Sequence, residues 1–127
     1  MPVAYKLVDS GTSKVACEAT VSKYDLVYIN KDNGLAGKID GSTINKMPVR
    51  GIVVKKVGNF AYITQNIKIV YDRIVFEAGD NLFASTSTLG NMQVGKPFAG
   101  FIAQMVGKAL SDTEILITIN PNDAVIL

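Results

Sequence analysis

Met47-Pro48-Val49-Arg50-Gly51-Ile52-Val53-Val54-Lys55-Lys56-Val57-Gly58-Asn59-Phe60-Ala61-Tyr62-Ile63-Thr64-Gln65 reads as two β-strands and the turn between them. Val and Ile branch at Cβ and are stiff at χ1, which suits a pleated strand better than a helix. Gly58-Asn59 tolerates the positive φ of a tight turn. Strands over residues 49–57 and 60–65 joined there make a hairpin. Pro48 stands at the strand entrance, where no ladder N–H is needed. Gly51, inside the strand, leaves room for a bulge or the close approach of another backbone.

The same punctuation continues in both directions. Toward the N-terminus, Val15, Cys17, Ala19 and Val21 alternate with Lys14, Ala16, Glu18 and Thr20, the period of a strand. Residues 25–30 form another strand, closed by the turn Asp32-Asn33-Gly34, and Asp40-Gly41 marks a further turn. A short helical turn fits only around residues 40–46. Toward the C-terminus, residues 67–76 place Ile67, Ile69 and Tyr71 on one face, with Ile74 and Phe76 nearby. Glu77-Ala78-Gly79-Asp80 is a turn, residues 81–85 a strand and residues 86–94 a polar loop. Residues 98–110 and 114–120 are the last strands, with Ser111-Asp112 between them. Many short strands divided by turn signals predict one all-β domain, a small β-barrel or β-sandwich. Residues 1–20 read as an extended N-terminal arm with the first strand, Asp9-Ser10-Gly11-Thr12-Ser13 being its flexible part. Residues 21–127 read as the domain itself.

The opening stretch has a second copy. Met47-Pro48-Val49-Arg50-Gly51-Ile52-Val53 aligns without gaps on Lys96-Pro97-Phe98-Ala99-Gly100-Phe101-Ile102, 49 residues on, and the same offset sets Val57-Gly58 on Val106-Gly107. The flanks agree more loosely. Asp25-Leu26-Val27-Tyr28 resembles Asp80-Asn81-Leu82-Phe83, and Phe60-Ala61-Tyr62-Ile63 resembles Ile115-Leu116-Ile117-Thr118. A hairpin-containing unit is therefore expected to occur twice, with Gly58 and Gly107 as its turn glycines.

Catalytic chemistry is hard to assemble from this chain. It contains no histidine, so Ser-His-Asp and Cys-His nucleophile activation are excluded. Cys17 stands alone, which rules out an intrachain disulfide and a thiolate zinc cluster, and its apolar neighbours predict a buried thiol. Gly90-Asn91-Met92-Gln93-Val94-Gly95-Lys96 has phosphate-loop spacing, but Pro97 replaces the required Ser or Thr and a strand follows instead of a helix. Asn30-Lys31-Asp32-Asn33-Gly34 looks like the start of a calcium loop, yet Gly41 occupies the place of the bidentate acid. The carboxylates Asp72, Glu77, Asp80, Asp112 and Glu114 all sit beside turns, where surface solubility explains them. The expectation is a protein that is not an enzyme and binds no metal or cofactor.

Hydrophobic residues make up 48% of the 127, enough for a packed core without staples. With 13 basic against 11 acidic residues the charge is nearly balanced and the lysines are scattered, which argues against nucleic-acid binding. The one adjacent pair, Lys55-Lys56, reads as a solvated strand edge. Tyr5, Tyr24, Tyr28, Tyr62, Tyr71 and the five phenylalanines fall mostly at inward-looking positions, which favours a core over a stacking platform. Met1-Pro2-Val3-Ala4-Tyr5-Lys6 lacks the apolar stretch of a signal peptide, and no apolar run approaches the ~18 residues of a membrane span. Synthesis in a reducing cytoplasm, with no membrane partner, is expected.

Gly79-Asp80-Asn81-Leu82-Phe83-Ala84-Ser85, then Val106-Gly107-Lys108-Ala109-Leu110-Ser111 and Glu114-Ile115-Leu116-Ile117-Thr118-Ile119, resemble the C-terminal half of small decoration proteins of tailed-bacteriophage heads, also called capsid cement proteins. Gly51-Ile52-Val53 before Gly58 resembles an earlier strand of the same group. The resemblance covers roughly residues 20 to 120. The chain lacks the polyalanine or glycine-rich start of some members. The resemblance implies a β-barrel or β-tulip-like protomer, often trimeric, that sits on the outer capsid surface of the virion and clamps neighbouring major capsid subunits. It implies no catalysis and no cofactor.

The two termini are the expected interface. An N-terminal arm carrying Pro2, Val3 and Tyr5 can add a strand to a partner's sheet edge. Ala124-Val125-Ile126-Leu127 is an apolar tail that needs covering, by a partner subunit or by its own barrel. The alternatives are a phage head-fibre base or a tail or baseplate adaptor and, ranked below them, a small ligand-binding β-barrel.

Overall fold

The computed structural model describes residues 3–5, 12–71 and 76–127. The chain is all-β, but the alternating stretch from Lys14 to Val21 is a strand only as far as Ala16 and turns at Ala19 and Thr20. After a short β1 (Val3–Tyr5), the first half runs β2 (Ser13–Ala16), β3 (Leu26–Ile29), β4 (Ala36–Lys38), β5 (Gly51–Val57) and β6 (Phe60–Thr64). The second half runs β7 (Asn66–Val70), β8 (Asn81–Ala84), β9 (Met92–Val94), β10 (Ile102–Ala103), β11 (Met105–Ala109), β12 (Glu114–Thr118) and β13 (Val125–Ile126). Single 3₁₀ turns lie at Ile44–Lys46 and Pro121–Asp123.

Three sheets result: β2-β6-β5-β3-β4, β1-β7-β12-β11-β8-β9, and the small pair β10-β13. The first sheet curls until its ends meet. Cys17 forms a parallel bridge with Ala36, and the Glu18 N–H donates to the Ala36 carbonyl at 2.9 Å. The central strand β3 is therefore covered on both sides. Val27 and Val53 point into a small interior with Cys17, Val21, Ala36, Ala61 and Ile63. Their neighbours Leu26, Tyr28 and Ile52 point outward into the main core, against Ile67, Ile69, Leu82, Ile115 and Ile117 of the second sheet. That alternation explains why β3 is apolar at every position rather than every other one.

The two large sheets are built on the same plan. β2, β3, β4, β5 and β6 correspond in sheet order and in antiparallel pairing to β7, β8, β9, β11 and β12. The first residues of corresponding strands lie 53 to 56 positions apart. Detail repeats as well. Asp25 and Asp80 each close a tight turn by accepting an N–H three residues earlier, from Ser22 and Glu77, both at 2.8 Å. The residue before each acid has positive φ, 69° at Tyr24 and 93° at Gly79. Tyr24 N–H bonds the Val53 carbonyl, and Gly79 N–H bonds that of Ala109. A non-glycine residue in this region is strained. Tyr24 keeps the conformation because its ring packs on the main core beside Tyr71, whose hydroxyl is pushed above the usual phenol range by burial and by Tyr24.

The repeat thus exists, but not at the expected offset of 49. Val27 pairs with Gly51 and Leu82 with Gly107, so Gly51 matches Gly107, not Gly100. Both are close-approach glycines. A Cβ on Gly51 would lie 3.1 Å from the Ile63 Cβ, and one on Gly107 only 2.4 Å from the Leu116 carbonyl oxygen. Gly100 instead turns the chain at φ 94°, and residues 98–110 are not one strand but a turn followed by β10 and β11. The polar loop at 86–94 contains β9, and the described part of the N-terminal arm forms edge strands of the two sheets.

Lys68 on β7 lies beside Glu114 on β12, where they form an ion pair across the ladder. The hydrogen bond from Lys68 holds the Glu114 carboxyl below its ordinary range. A depressed carboxyl contributes stability above its unfolded-state pKa and loses it as pH falls through the folded value. Urea midpoints of Glu114→Gln should therefore depend less on pH than those of the unaltered chain across the carboxylate range. Equal slopes would show that solvent screening removes the effect.

Candidate functional site

Residues 97–104 and 119–127 bring Phe98, Val125, Ile126 and Leu127, four of the exposed large apolar residues, into one segment pair. Gly100 turns the backbone so that Phe101 N–H reaches the Phe98 carbonyl at 3.2 Å. Ile102 and Ala103 then pair with Ile126 and Val125. Leu127 closes the ribbon, donating to the Phe101 carbonyl and accepting from Gly100 N–H, both at 2.9 Å. Upstream, Asn120 caps the 3₁₀ turn at Pro121–Asp123 through its side-chain oxygen and the Asn122 N–H. Pro121 suits that first turn because its missing N–H has no partner to find there.

One buried side chain locks this segment to the rest. Gln104 is wholly buried. Its Oε1 accepts the Val49 N–H at 2.7 Å, and its Nε2 donates to the carbonyls of Val49 at 3.0 Å and Asn120 at 3.2 Å. The ribbon is thereby fixed in place, with Ile102 and Ala103 of β10 buried and the side chains of β13 facing solvent. Phe98 is 84% exposed, Ile126 62% and Val125 56%, with Leu127 and Met105 also exposed.

Alternation along β13 puts Ile126 and its neighbours on opposite sides, and each side meets a groove. The Ile126 side has a groove of about 320 Å³, walled by Ile44, Met47, Pro48, Ile102 and Ala124. Val125 and Leu127 look into a second, of about 480 Å³, with Phe83, Met105 and Lys96. Both grooves are lined mainly by apolar side chains, and the second also carries Lys96 and Asp123. The groups whose titration the fold displaces, Tyr28, Tyr71 and Glu114, lie in the core or on the β7–β12 ladder.

Of the expected interface residues, Ala124, Val125, Ile126 and Leu127 come together here. The tail folds back on its own chain through its backbone, yet leaves its side chains outward. Val3 and Tyr5 lie in β1, opposite Val70 and Lys68 of β7, and Pro2 is outside the described residues. Sequence reasoning missed Phe98, Ile44 and the two grooves. Of the carboxylates, Glu77 and Asp80 share one turn, Glu114 pairs with Lys68, and Asp72 is outside the described residues. Among the described residues no group of three or more potential ligands could hold a metal ion. The phosphate-loop spacing carries β9 and no helix, and the calcium-like stretch is the β3–β4 turn, with Asp32 N–H bonded to the Asn30 side chain.

A second exposed face lies on the first sheet. Lys14, Tyr62 and Lys55 stand in one cross-strand row of β2, β6 and β5. The Lys14 ammonium sits 4.6 Å from the Phe60 ring centroid and that of Lys55 5.7 Å from Tyr62. Phe60 is thus an outer residue and not part of the core, because Ala61 and Ile63 take the inward phase of β6. Lys55 and Lys56 lie beyond the part of β5 that pairs with β3, so they pair with β6 alone, and Lys56 donates to the Ala19 carbonyl at 2.7 Å.

No protein-family model matches the chain, and no curated protein matches it.

Proposed function

We propose that the chain is a structural virion protein: a capsid decoration protein of a tailed bacteriophage that self-associates as a trimer, binds the outer shell and clamps neighbouring major capsid subunits. In this reading it carries out no catalysis. The observation that carries it is the exposed apolar strand β13, fixed on buried β10 and with a groove on each side. An apolar surface of this kind is the usual mark of a protein–protein contact. The partner, the major capsid protein, and the place, the capsid surface, rest on the sequence resemblance to head decoration proteins alone.

The test is sedimentation of the purified protein with capsids of its phage that lack it, together with native mass over a dilution series. Saturable binding to capsids and a trimer that survives dilution are expected. Failure to bind heads, or binding to tails instead, overturns the reading. Val125→Asp should weaken self-association at least tenfold, since a buried unpaired charge is costly. The isolated subunit should stay folded, because Val125 is exposed there.

A further inference from the structure

We propose that the outer face of β2, β6 and β5 binds a short acidic protein segment, its carboxylates meeting the Lys14 and Lys55 ammoniums and an apolar residue resting beside Phe60 and Val57. This contact stands apart from the capsid reading and from the grooves beside β13. Strand pairing sets two cross-strand rows on this face: Lys14, Tyr62 and Lys55, then Ala16, Phe60 and Val57. Both lysines, Phe60 and Val57 are exposed, whereas Val53, Ala61 and Ile63 take the opposite phase into the small interior.

A bulge brings Lys55 to this face. In a regular strand residues two apart point the same way, so Lys55 would follow Val53 inward. The β5–β6 register shifts between Val53 and Lys55, and the extra residue, Val54, turns Lys55 outward opposite Tyr62. Lys56 then takes the inward phase with Ala61 and donates to the Ala19 carbonyl at 2.7 Å. Lys14 and Lys55 stand on the strands either side of β6, so their backbones are about 10 Å apart. Each ammonium lies near a ring, Lys14 at 4.6 Å from the Phe60 centroid and Lys55 at 5.7 Å from that of Tyr62. A ring beneath a lysine holds its head group in place, which lowers the ordering cost of binding.

Charge decides the occupant. Among the described residues the lysines that pair with a carboxylate are Lys38, with Asp25, and Lys68, with Glu114. Lys14 and Lys55 are not among them. Nearby acids are engaged elsewhere: Glu18 lies against Gly37, and Asp40 accepts from Ser42. Two cations beside an apolar row call for an anion with an apolar part. A nucleic-acid strand fits less well, because its bases need open ring faces and the lysines lie over these. The net charge of +2 also lacks the excess that tracks a phosphate backbone. An acidic segment needs only the ammoniums and the apolar row. A face of two short rows suits a weak, salt-sensitive contact rather than a permanent interface.

Fluorescence anisotropy with a dye-labelled peptide of glutamates around one central leucine tests the contact. The unaltered protein should bind it at low salt, release it at high salt, and not bind the same peptide with glutamines in place of glutamates. Lys14→Gln and Lys55→Gln should each weaken binding about three- to fivefold, the upper part of what one exposed ion pair supplies. Lys56→Gln removes the same charge one residue away but from the other face, and should leave binding nearly unchanged. Circular dichroism checks that the variants fold, and Lys31→Gln, in the β3–β4 turn, replaces Lys56→Gln should the latter fail to. No binding at low salt, or equal losses from Lys55→Gln and the control variant, overturns the proposal. An oligothymidylate of equal charge that binds more tightly than the peptide overturns it in favour of a nucleic-acid strand. Capsid sedimentation is read separately, so its failure leaves these results standing.

Discussion

Gly107→Ala should lower the unfolding free energy by about 3 kcal/mol or more, at the upper end of what overpacking costs. Gly107 lies in β11 between β8 and β12, opposite Leu82 on one side and Ile117 on the other. An added methyl would stand 2.4 Å from the carbonyl oxygen of Leu116, with the Ile117 side chain at 3.3 Å. The nearest atom is backbone in a paired strand, so no rotamer change relieves the clash. Relief requires prying β12 from β11, and β12 is held from behind by five registered pairs with β7. Gly51, its counterpart, sets the scale. There the methyl meets the Ile63 side chain at 3.1 Å, and a loss of about 1–2 kcal/mol is expected. Gly95, with open space but φ 76°, tests conformational strain without a clash, and its alanine variant should lose about 1 kcal/mol. Urea unfolding followed by circular dichroism ranks the three. A Gly107→Ala chain within 1 kcal/mol of the unaltered protein would sink the close approach of β11 and β12.

That glycine also shows where sequence reasoning runs short. Gly51 and Gly100 share a motif, a Pro three residues earlier and apolar neighbours, and so invite alignment. Their backbones do different things: one lies flat in a ladder, the other turns at φ 94°. Composition does not say which use a glycine serves. The looser flank matches, Asp25 with Asp80 and Phe60 with Ile115, fall within the structural offset because an acid closing a turn before a strand is a local device. Strand pattern made the all-β class legible. β9 and β13, of three and two residues, are too short for any period to register.

The apolar tail was visible in Val125-Ile126-Leu127, but its surroundings were not. Ile44, Met47 and Pro48 reach the groove from the first half of the chain, and only the fold brings them to Ile126. The aromatic residues misled for a related reason. Phe60-Ala61-Tyr62-Ile63 alternates equally well in either phase, and what decides is which set meets Cys17, Val21 and Val27.

Gln104→Met should cost about 3 kcal/mol, which corresponds to roughly 10–15 °C in thermal midpoint for a chain of this size. The replacement keeps the length and flexibility of the side chain and removes its hydrogen bonds, so packing volume is not the main change. Two buried backbone groups lose their partner, the N–H and carbonyl of Val49, while the exposed Asn120 carbonyl loses one of two donors and keeps the Asp123 N–H. Each buried orphan carries a desolvation cost of about 1–3 kcal/mol, softened where water can enter. Place matters as much as energy. Val49 follows Met47 and Pro48, which wall one side of the groove, and Asn120 precedes Pro121 and Ala124, which wall the other. Gln104 therefore sets the spacing between the walls. Its loss should raise the amide exchange rate of Val49 and weaken self-association more than the stability change alone predicts. Val125→Asp is the contrast: association falls while Val49 exchange in the subunit stays slow. A Gln104→Met chain that associates normally when fully folded would mean the groove width is held by something other than Gln104.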